Sequence, residues 1–307
     1  MSEHLFQVGA EADGARLDLF VGERLSLSRA RVKTLFEAGD VWVNDRRASK
    51  GSRITPGQSI RVKLADEGAT LVPELEAPLS ILFEDAALVL VDKPAGQPCH
   101  PLKPGETGTV ANALVGHFPE CAEASTDPRE GGLCHRLDIE TSGVLAAARS
   151  RAAWEEVRKQ FSDRTVEKRY WALVTGPIAD DGEIDLPLKH HPRGDRVEPA
   201  LSTAGVAREA LSHFHVLDRS GEYSLVEVGI ATGVLHQVRA HLAAIGAPVV
   251  GDALYGGRPE PGLRRFFLHA RLLGLRHPLD GSAVKKESPL PPELTAVLDV
   301  RGLRRVV

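Results

Sequence analysis

The pattern of apolar positions near the N-terminus predicts two short helices. The repeating apolar residues are Leu17, Phe20, Val21 and Leu25 in the first segment, and Val32, Leu35 and Phe36 in the second. Residues three or four positions apart lie on one helix face, so each segment is expected to bury an apolar stripe. Ser28 is suited to cap the second helix, and Gly39 stands where that helix should end.

Short alternating runs follow these helices and predict strands joined by turns. The runs cover residues 41–43 and 60–62, and Asn44-Asp45 and Pro56-Gly57 are the turn pairs. Residues 15–65 should therefore form a small helix-hairpin domain after an N-terminal tail of residues 1–14. Residues 66–77 mix acidic residues with glycine and proline without periodicity, which predicts a linker.

The remaining residues, 78–307, carry strand-like apolar runs with few helical windows. The clearest runs are 88–91, 144–148, 170–174 and 223–230, and the clearest helices should start near Ser150 and His236. This balance favours an α+β domain built on a long, mostly antiparallel sheet over a repeating βαβ order. A chain of 307 residues has room for such a domain beside a smaller one.

Composition narrows the class of protein. Charged residues make up 26% of the chain and no apolar run approaches a bilayer span, so we expect a cytoplasmic protein without a signal peptide. Cys99, Cys121 and Cys134 include no close pair and are expected to be reduced thiols. The sequence lacks phosphate-cradling, dinucleotide-binding and Gly-x-Ser-x-Gly motifs, and no histidine pair has zinc-protease spacing, which argues against a metal.

Charge is unevenly distributed along the chain, although the net formal charge is only −4. Residues 16–65 contain 11 Lys and Arg against 5 Asp and Glu, which gives +6; residues 66–135 contain 3 against 12, which gives −9. Because a partner feels local fields, the basic N-terminal segment is the candidate surface for a nucleic acid. Its second predicted helix carries three cations, Arg29, Arg31 and Lys33. The alternative is an ordinary basic face turned to solvent.

The segment of residues 135–143 is the first candidate for chemistry. It places Asp138 among cationic and hydroxyl side chains in a loop before an apolar strand. A carboxylate that acts as base or nucleophile must be charged and firmly held, and Arg136 is the nearest cation in the sequence. Because Asp followed by Thr-Ser-Gly also forms an ordinary polar turn, both interpretations stay open at this point.

Two further segments place polar groups in informative positions. Arg239 falls in the first turn of the helix predicted near His236, where the helix dipole disfavours a cation by roughly 0.3 to 1 kcal/mol. It suggests an anionic partner, either Asp138 or an RNA phosphate, unless the side chain reaches solvent. In the strand predicted after residue 165, Lys168 and Tyr170 share one side. Tyr170 could stack on an unpaired base or serve as plain sheet packing.

Together these segments resemble the RluA-type family of RNA pseudouridine synthases, over nearly the whole chain. The family shows His-Arg-Leu-Asp-x-x-Thr-Ser-Gly, matched at residues 135–143, and Lys-x-Tyr-x-Ala, matched at residues 168–172. It also shows Thr-Gly-Arg-x-His-Gln-Ile/Leu-Arg, matched at residues 232–239 except that Val234 and Leu235 stand where the family has Arg and a small polar residue. This departure puts the range of RNA substrates in doubt.

The resemblance implies a pseudouridine synthase fold with a long, mixed, bisected sheet, and an enzyme that flips a uridine out of RNA and rejoins its ribose to carbon 5. Asp138 would be the catalytic aspartate, Tyr170 would lie beside the target uridine, and Arg239 would orient Asp138. The implied RNA contacts are His135, Arg136, Lys168 and His236. No cofactor or metal is implied, because the reaction is an internal isomerisation. Ribosomal RNA of the large subunit is the expected substrate, with transfer RNA as the alternative, and a monomer is the expected state.

Residues 15–65 resemble the alpha-L RNA-binding module, a small domain appended to several RNA-modifying enzymes. The resemblance rests on residues 16–18, Ser28-Arg29 and the turn at residues 39–44, and it implies RNA contacts by Arg29, Arg31 and Lys33. Two other functional classes remain in competition. One is a non-catalytic RNA-binding protein on a decayed enzyme scaffold, and the other is a glycosidase with paired carboxylates, for which Glu140 is the second acid of the Asp138 loop.

Overall fold

A computed structural model describes residues 2–25, 27, 29–64, 71–192, 194–200 and 207–304. The chain divides into two compact units, Met1–Ala69 and Thr70–Val307. The expected helix cap Ser28 and residues 66–70 of the expected linker lie outside the described residues. Within the described ranges, no helix is both long and apolar enough to cross a membrane.

Over its described residues, the first unit combines two helices with a sheet of four strands. Its elements in chain order are β1 (Ser2–Gln7), α1 (Leu17–Arg24), α2 (Arg29–Ala38), β2 (Val41–Val43), β3 (Arg46–Arg47) and β4 (Ser59–Leu64), with a 3-10 turn at Ala10–Ala12. The strand order is β1-β4-β2-β3, and every neighbouring pair is antiparallel. The two predicted helices are confirmed, and their apolar faces join the strands in one core that contains Leu17, Val21 and Leu35.

The tail predicted for residues 1–14 was wrong over its first half. Strand β1 pairs with β4 from Ser2 opposite Leu64 to Gln7 opposite Ser59, and Val8 is buried in the core. The pairing satisfies backbone groups that β4 would otherwise expose along its edge. Because that partner lies far along the chain, local patterning of residues 2–7 gave little sign of the strand.

The second unit contains most of the secondary structure of the chain. Its strands are β5 (Ile81–Glu84), β6 (Leu88–Lys93), β7 (Ser142–Ala148), β8 (Glu167–Thr175), β9 (Asp181–Asp185), β10 (Leu188–His190), β11 (Val197–Pro199), β12 (Leu211–Ser220), β13 (Tyr223–Ile230), β14 (Leu268–Arg276) and β15 (Ala283–Glu287). Its α-helices are α3 (Val110–His117), α4 (Arg151–Ser162), α5 (Gln237–Ala244) and α6 (Pro292–Arg301). Short 3-10 turns lie at Pro119–Glu123, Pro128–Glu130 and Ala253–Tyr255.

A long mixed sheet organises this second unit. Its strands run in the order β5-β6-β7-β14-β8-β13-β12-β9, and β15 pairs with β14. Neighbours are antiparallel except β7 and β14, which are parallel. The predicted α+β fold with a long, mostly antiparallel sheet is therefore confirmed. Strands β10 and β11 form a separate hairpin.

The parallel pair of strands β7 and β14 brings the Asp138 loop close to the strand that carries Tyr170. Strand β7 begins at Ser142, directly after the Asp138 loop, and β8 on the other side of β14 carries Tyr170. Gly143 lies so close to β14 that a Cβ atom there would stand 2.2 Å from the carbonyl oxygen of Ala270, which explains why a glycine follows the loop. This close packing of β7 against β14 places the Asp138 loop near the centre of the sheet.

Candidate active site

Asp138 lies in the loop before β7, and Arg239 holds one side of its carboxylate. Nη1 of Arg239 donates to Oδ2 of Asp138 at 3.0 Å. The Asp138 side chain is 21% exposed, so a substrate can reach it. The backbone N–H of Thr141 donates to the Asp138 carbonyl at 3.1 Å and closes a turn. The loop is thus both a polar turn and the holder of an accessible carboxylate.

Arg239 is buried and is fixed by a second carboxylate, that of Asp252. Its Nε and Nη2 donate to the two Asp252 oxygens at 2.6 and 2.8 Å, a bidentate geometry that matches the planar guanidinium. The guanidinium also lies 4.1 Å from the centroid of the Phe266 ring. Burial opposes its charge, but the hydrogen bonds and charges of Asp252 and Asp138 leave the pKa of Arg239 raised. An anionic partner was predicted for Arg239, and the structure provides two.

His236 stands on the other side of Asp138, immediately before α5. Its Nε2 lies 3.8 Å from Oδ1 of Asp138, and its Nδ1 lies 3.2 Å from the hydroxyl of Tyr255. The backbone of His236 is left-handed, with φ of 52°, and its side chain does not cap the helix. Burial is the main cause that lowers the pKa of His236, which keeps the ring neutral at neutral pH.

Tyr170 lies on β8 and is 9% exposed. Burial first, and then the charge of Asp138, raise the pKa of Tyr170, so its phenol stays protonated. Arg136 is exposed in the Asp138 loop. The structure therefore brings Asp138, Tyr170, Arg239 and His236 together and leaves the Arg136 side chain at the surface beside them.

Lys168 and His135, two of the residues expected to contact RNA, have partners within the protein. Lys168 is buried, its Nζ donates to the Thr232 carbonyl at 2.9 Å, and burial lowers its pKa to about 8. Nε2 of His135 accepts from the backbone N–H of Ala146 at 3.0 Å, its ring stacks on Phe161, and burial lowers its pKa to about 3. Lys168 is buried and His135 is half-buried, and their contact with RNA stays a prediction.

Lys93 holds the Asp138 loop through hydrogen bonds from its buried ammonium group, a role that the sequence did not predict. It is 1% exposed, and its Nζ donates to three carbonyls, those of Pro94, Gln97 and Ile139, at 2.8 to 2.9 Å. Burial lowers the pKa of Lys93 to about 8, which still leaves it cationic at neutral pH. One carbonyl belongs to the residue after Asp138, so the ammonium ties the loop to the end of β6.

Other supporting residues were also missed from the sequence. Asp252 is a single acid in a Gly-rich turn, and the sequence gave no sign that it would bind Arg239. Cys99 exchanges hydrogen bonds at 3.3 Å with both backbone groups of Leu137. Arg265 donates to the carbonyl of Glu140 at 2.9 Å. These contacts join segments far apart in the chain, so no local pattern could have found them.

Val234 and Leu235, the two residues that depart from the family pattern, have an apolar setting. Both are half-buried and pack against a small cluster that contains Leu188 and Val197 of the β10-β11 hairpin. Val197 also holds Tyr255, because its N–H donates to the Tyr255 hydroxyl at 3.0 Å and its carbonyl accepts from that hydroxyl at 3.1 Å. The departure therefore helps to seat the hairpin that positions Tyr255.

Residues 87–244, which include Asp138, Tyr170 and Arg239, match the family model described as RNA pseudouridylate synthase. The chain belongs to this family, and it is an enzyme of the isomerase class.

The chain is 37% identical over 301 residues to the ribosomal large subunit pseudouridine synthase D of Nitrosomonas europaea, covering 94% of this chain and 86% of that protein. It is 33% identical to the protein of that name from Xanthomonas campestris pv. campestris, covering 94% and 89%. The solved human RNA Pseudouridylate Synthase Domain Containing 4 is also similar, with a TM-score of 0.59, 25% identity, and coverage of 74% of this chain and 94% of that one.

Proposed function

We propose that this enzyme converts uridine to pseudouridine in ribosomal RNA of the large subunit, with Asp138 as the catalytic carboxylate. The observation that carries the proposal is the chain of contacts from Asp252 through Arg239 to Asp138. It fixes an accessible carboxylate beside a buried tyrosine. The names of the two bacterial relatives support ribosomal RNA as the substrate.

The chemistry needs a charged carboxylate in a fixed position. The bond from ring nitrogen 1 to ribose carbon 1′ breaks, the base turns, and ring carbon 5 joins carbon 1′. Asp138 can serve either by attacking the ribose or by removing a proton, and Arg239 stabilises negative charge on it for both roles. Because substrate and product are isomers, the reaction consumes no second reactant, and we expect no cofactor.

Tyr170 is proposed to pack against the flipped uridine. Flipping a base out of an RNA helix costs a few kcal/mol, and stacking on an aromatic ring returns roughly 1 to 3 kcal/mol. The position of Tyr170 within the influence of the Asp138 charge supports this role. Arg136, exposed in the same loop, is proposed to contact the RNA around the target.

The first unit is proposed to be an RNA-binding module of the alpha-L type. Arg29 and Lys33 are exposed on α2, Arg31 is half-exposed on the same helix, and Arg29 and Lys50 line a hollow of about 640 Å³ beside α1. Exposed cations of this kind bind RNA phosphates in a salt-dependent way. We further propose that the enzyme acts in the cytoplasm as a monomer.

Tritium release from RNA labelled at carbon 5 of uridine tests the proposal, because that hydrogen leaves during the isomerisation. The wild-type enzyme should release tritium from ribosomal RNA of the large subunit. Asp138→Asn should slow release on the order of 1,000-fold, since it removes the proposed base or nucleophile with little change of shape. Asp163→Asn, at the exposed end of α4, is the matched control and should behave as wild type. Normal release by Asp138→Asn would overturn the catalytic assignment, and release from transfer RNA alone would overturn the substrate.

A further inference from the structure

We infer that His236 is the base that removes the proton from carbon 5 of the uridine after the ribose has been rejoined there. This inference rests on the proposed function and deepens it. It gives His236 a catalytic role in place of the RNA contact expected from the sequence. Two observations carry it, the position of the ring and the pattern of its hydrogen bonds, and the state of five neighbouring side chains supports it.

The proton at carbon 5 must leave to complete the reaction. Once carbon 5 is bonded to carbon 1′, it carries both the ribose and its original hydrogen. A base takes that hydrogen as a proton, and the electron pair of the C–H bond forms the double bond between carbons 5 and 6. The electrons of the former double bond between carbon 6 and nitrogen 1 move to nitrogen 1, which takes a proton from water. The base must therefore lie within a few Å of the ribose carbon at which Asp138 acts.

Most titratable side chains in the field of Asp138 offer no basic lone pair. Those whose pKa the charge of Asp138 shifts, other than His236, are Lys93, Cys99, Tyr170, Arg239 and Tyr255. The lysine and the arginine are cations that already bind internal acceptors. Burial is the main cause that raises the pKa of the thiol and of both phenols, so all three stay protonated. Asp138 itself has one oxygen bound to Arg239 and is engaged at the ribose.

The hydrogen bonds of Tyr255 bear on which nitrogen of His236 is free. We assign the single proton of the Tyr255 hydroxyl to the Val197 carbonyl, 3.1 Å away, because a carbonyl can only accept, and the Val197 N–H occupies one lone pair of the hydroxyl. Nδ1 of His236, 3.2 Å from the same hydroxyl, can then be satisfied only as the donor. Since a neutral imidazole carries one N–H, Nε2 keeps its lone pair. That nitrogen is the one facing Asp138, at 3.8 Å from Oδ1.

The backbone at His236 supports a role other than stability. A left-handed conformation is unfavourable for a residue other than glycine, and His236 adopts it with φ of 52° at the start of α5. Its side chain does not repay this cost by capping the helix. Local strain of this kind collects at functional sites, where the surrounding structure holds it in place. Here it directs the imidazole towards Asp138.

A deuterium isotope effect tests the inference. Single-turnover rates of pseudouridine formation are compared on RNA with hydrogen or deuterium at carbon 5 of the target uridine. His236→Gln keeps the size and polarity of the side chain but removes the base, so its rate should fall by about 10² to 10⁴-fold. Because breaking the C–H bond then becomes the slow step, the deuterated RNA should react more slowly still. RNA affinity should stay within about twofold of wild type, since phosphate contacts supply most of it.

Two further variants keep the test decisive. His213→Gln changes an exposed histidine on β12 and should match wild type in rate and isotope effect. Tyr255→Phe releases Nδ1 and should give a smaller loss of rate with the same kind of isotope effect. The inference is overturned if His236→Gln reacts like wild type, or if it is slow without an isotope effect and binds RNA more weakly. An inactive wild-type enzyme would instead contradict the proposed function.

Discussion

Arg239 is 7% exposed and divides its donors between Asp138 and Asp252, whereas Lys33 on α2 is 61% exposed and meets Glu37 at 3.5 Å. A buried charge must be fully matched by its partners, and that requirement fixes its geometry. An exposed pair contributes roughly 0 to 1 kcal/mol and leaves its cation free to exchange partners. Under the proposed function, we expect the buried cluster to carry the chemistry and the exposed cations to supply affinity for RNA.

Weakening the buried cluster should have the largest effect. Asp252→Asn keeps the shape of the side chain but loses charge-assisted hydrogen bonds worth about 1.5 to 3 kcal/mol, so Arg239 no longer aims Nη1 at Asp138. The single-turnover rate at saturating RNA should fall about 100-fold, which corresponds to about 2.7 kcal/mol. Glu209→Gln breaks the exposed pair with Arg164 and should change the rate less than twofold. Equal rates for the two variants would remove the distinction between buried and exposed pairs.

Replacing Lys93, whose ammonium group holds the Asp138 loop, should have an intermediate effect. Lys93→Met removes the shared donor of three part-buried hydrogen bonds, at a cost of about 1 kcal/mol each. For a unit of this size, a loss of about 3 kcal/mol lowers the melting temperature by about 6 to 12 °C. Calorimetry measures this change, with the exposed Lys159→Met as control. An unchanged melting temperature would show that Lys93 does not hold the loop.

Neutralising the exposed cations should have the smallest effect, confined to binding. The double variant Arg29→Gln/Lys33→Gln should weaken RNA affinity about tenfold at low salt and reduce the salt slope by about 2, because each phosphate contact contributes roughly 0.9. Its rate at saturating RNA should equal that of wild type. Lys159→Gln/Arg164→Gln removes two exposed cations of the second unit as the control. If both double variants lose affinity equally, the first unit has no special part in binding.

The sequence predicted the parts of the fold that depend on local order. Apolar spacing located α1, α2, α4 and α5, because each buries one face against its own unit. The helix dipole pointed from Arg239 to an anion, and Asp138 is one of the two that it binds. Strand β1 was missed because its partner β4 lies at the other end of its unit.

The internal partners of Lys168 and His135 were missed for the same reason. Both residues match family motifs at positions next to the proposed catalytic residues, which suggested contact with RNA. Their polar atoms reach a loop carbonyl and a strand N–H that the sequence does not place near them. A motif shows which side chains belong to a site, but only tertiary contacts determine which of them face the substrate.

The pairing of two carboxylates with the single guanidinium of Arg239 has a consequence for what can enter the site. Asp138, Asp252 and Arg239 together carry one net negative charge, whereas Arg136 at the surface of the same loop is a cation. We therefore expect Arg136 to hold RNA phosphates at the edge of the site, while an uncharged nucleobase can approach Asp138. A uridine would then reach Asp138 only after it has left the stack of its neighbours.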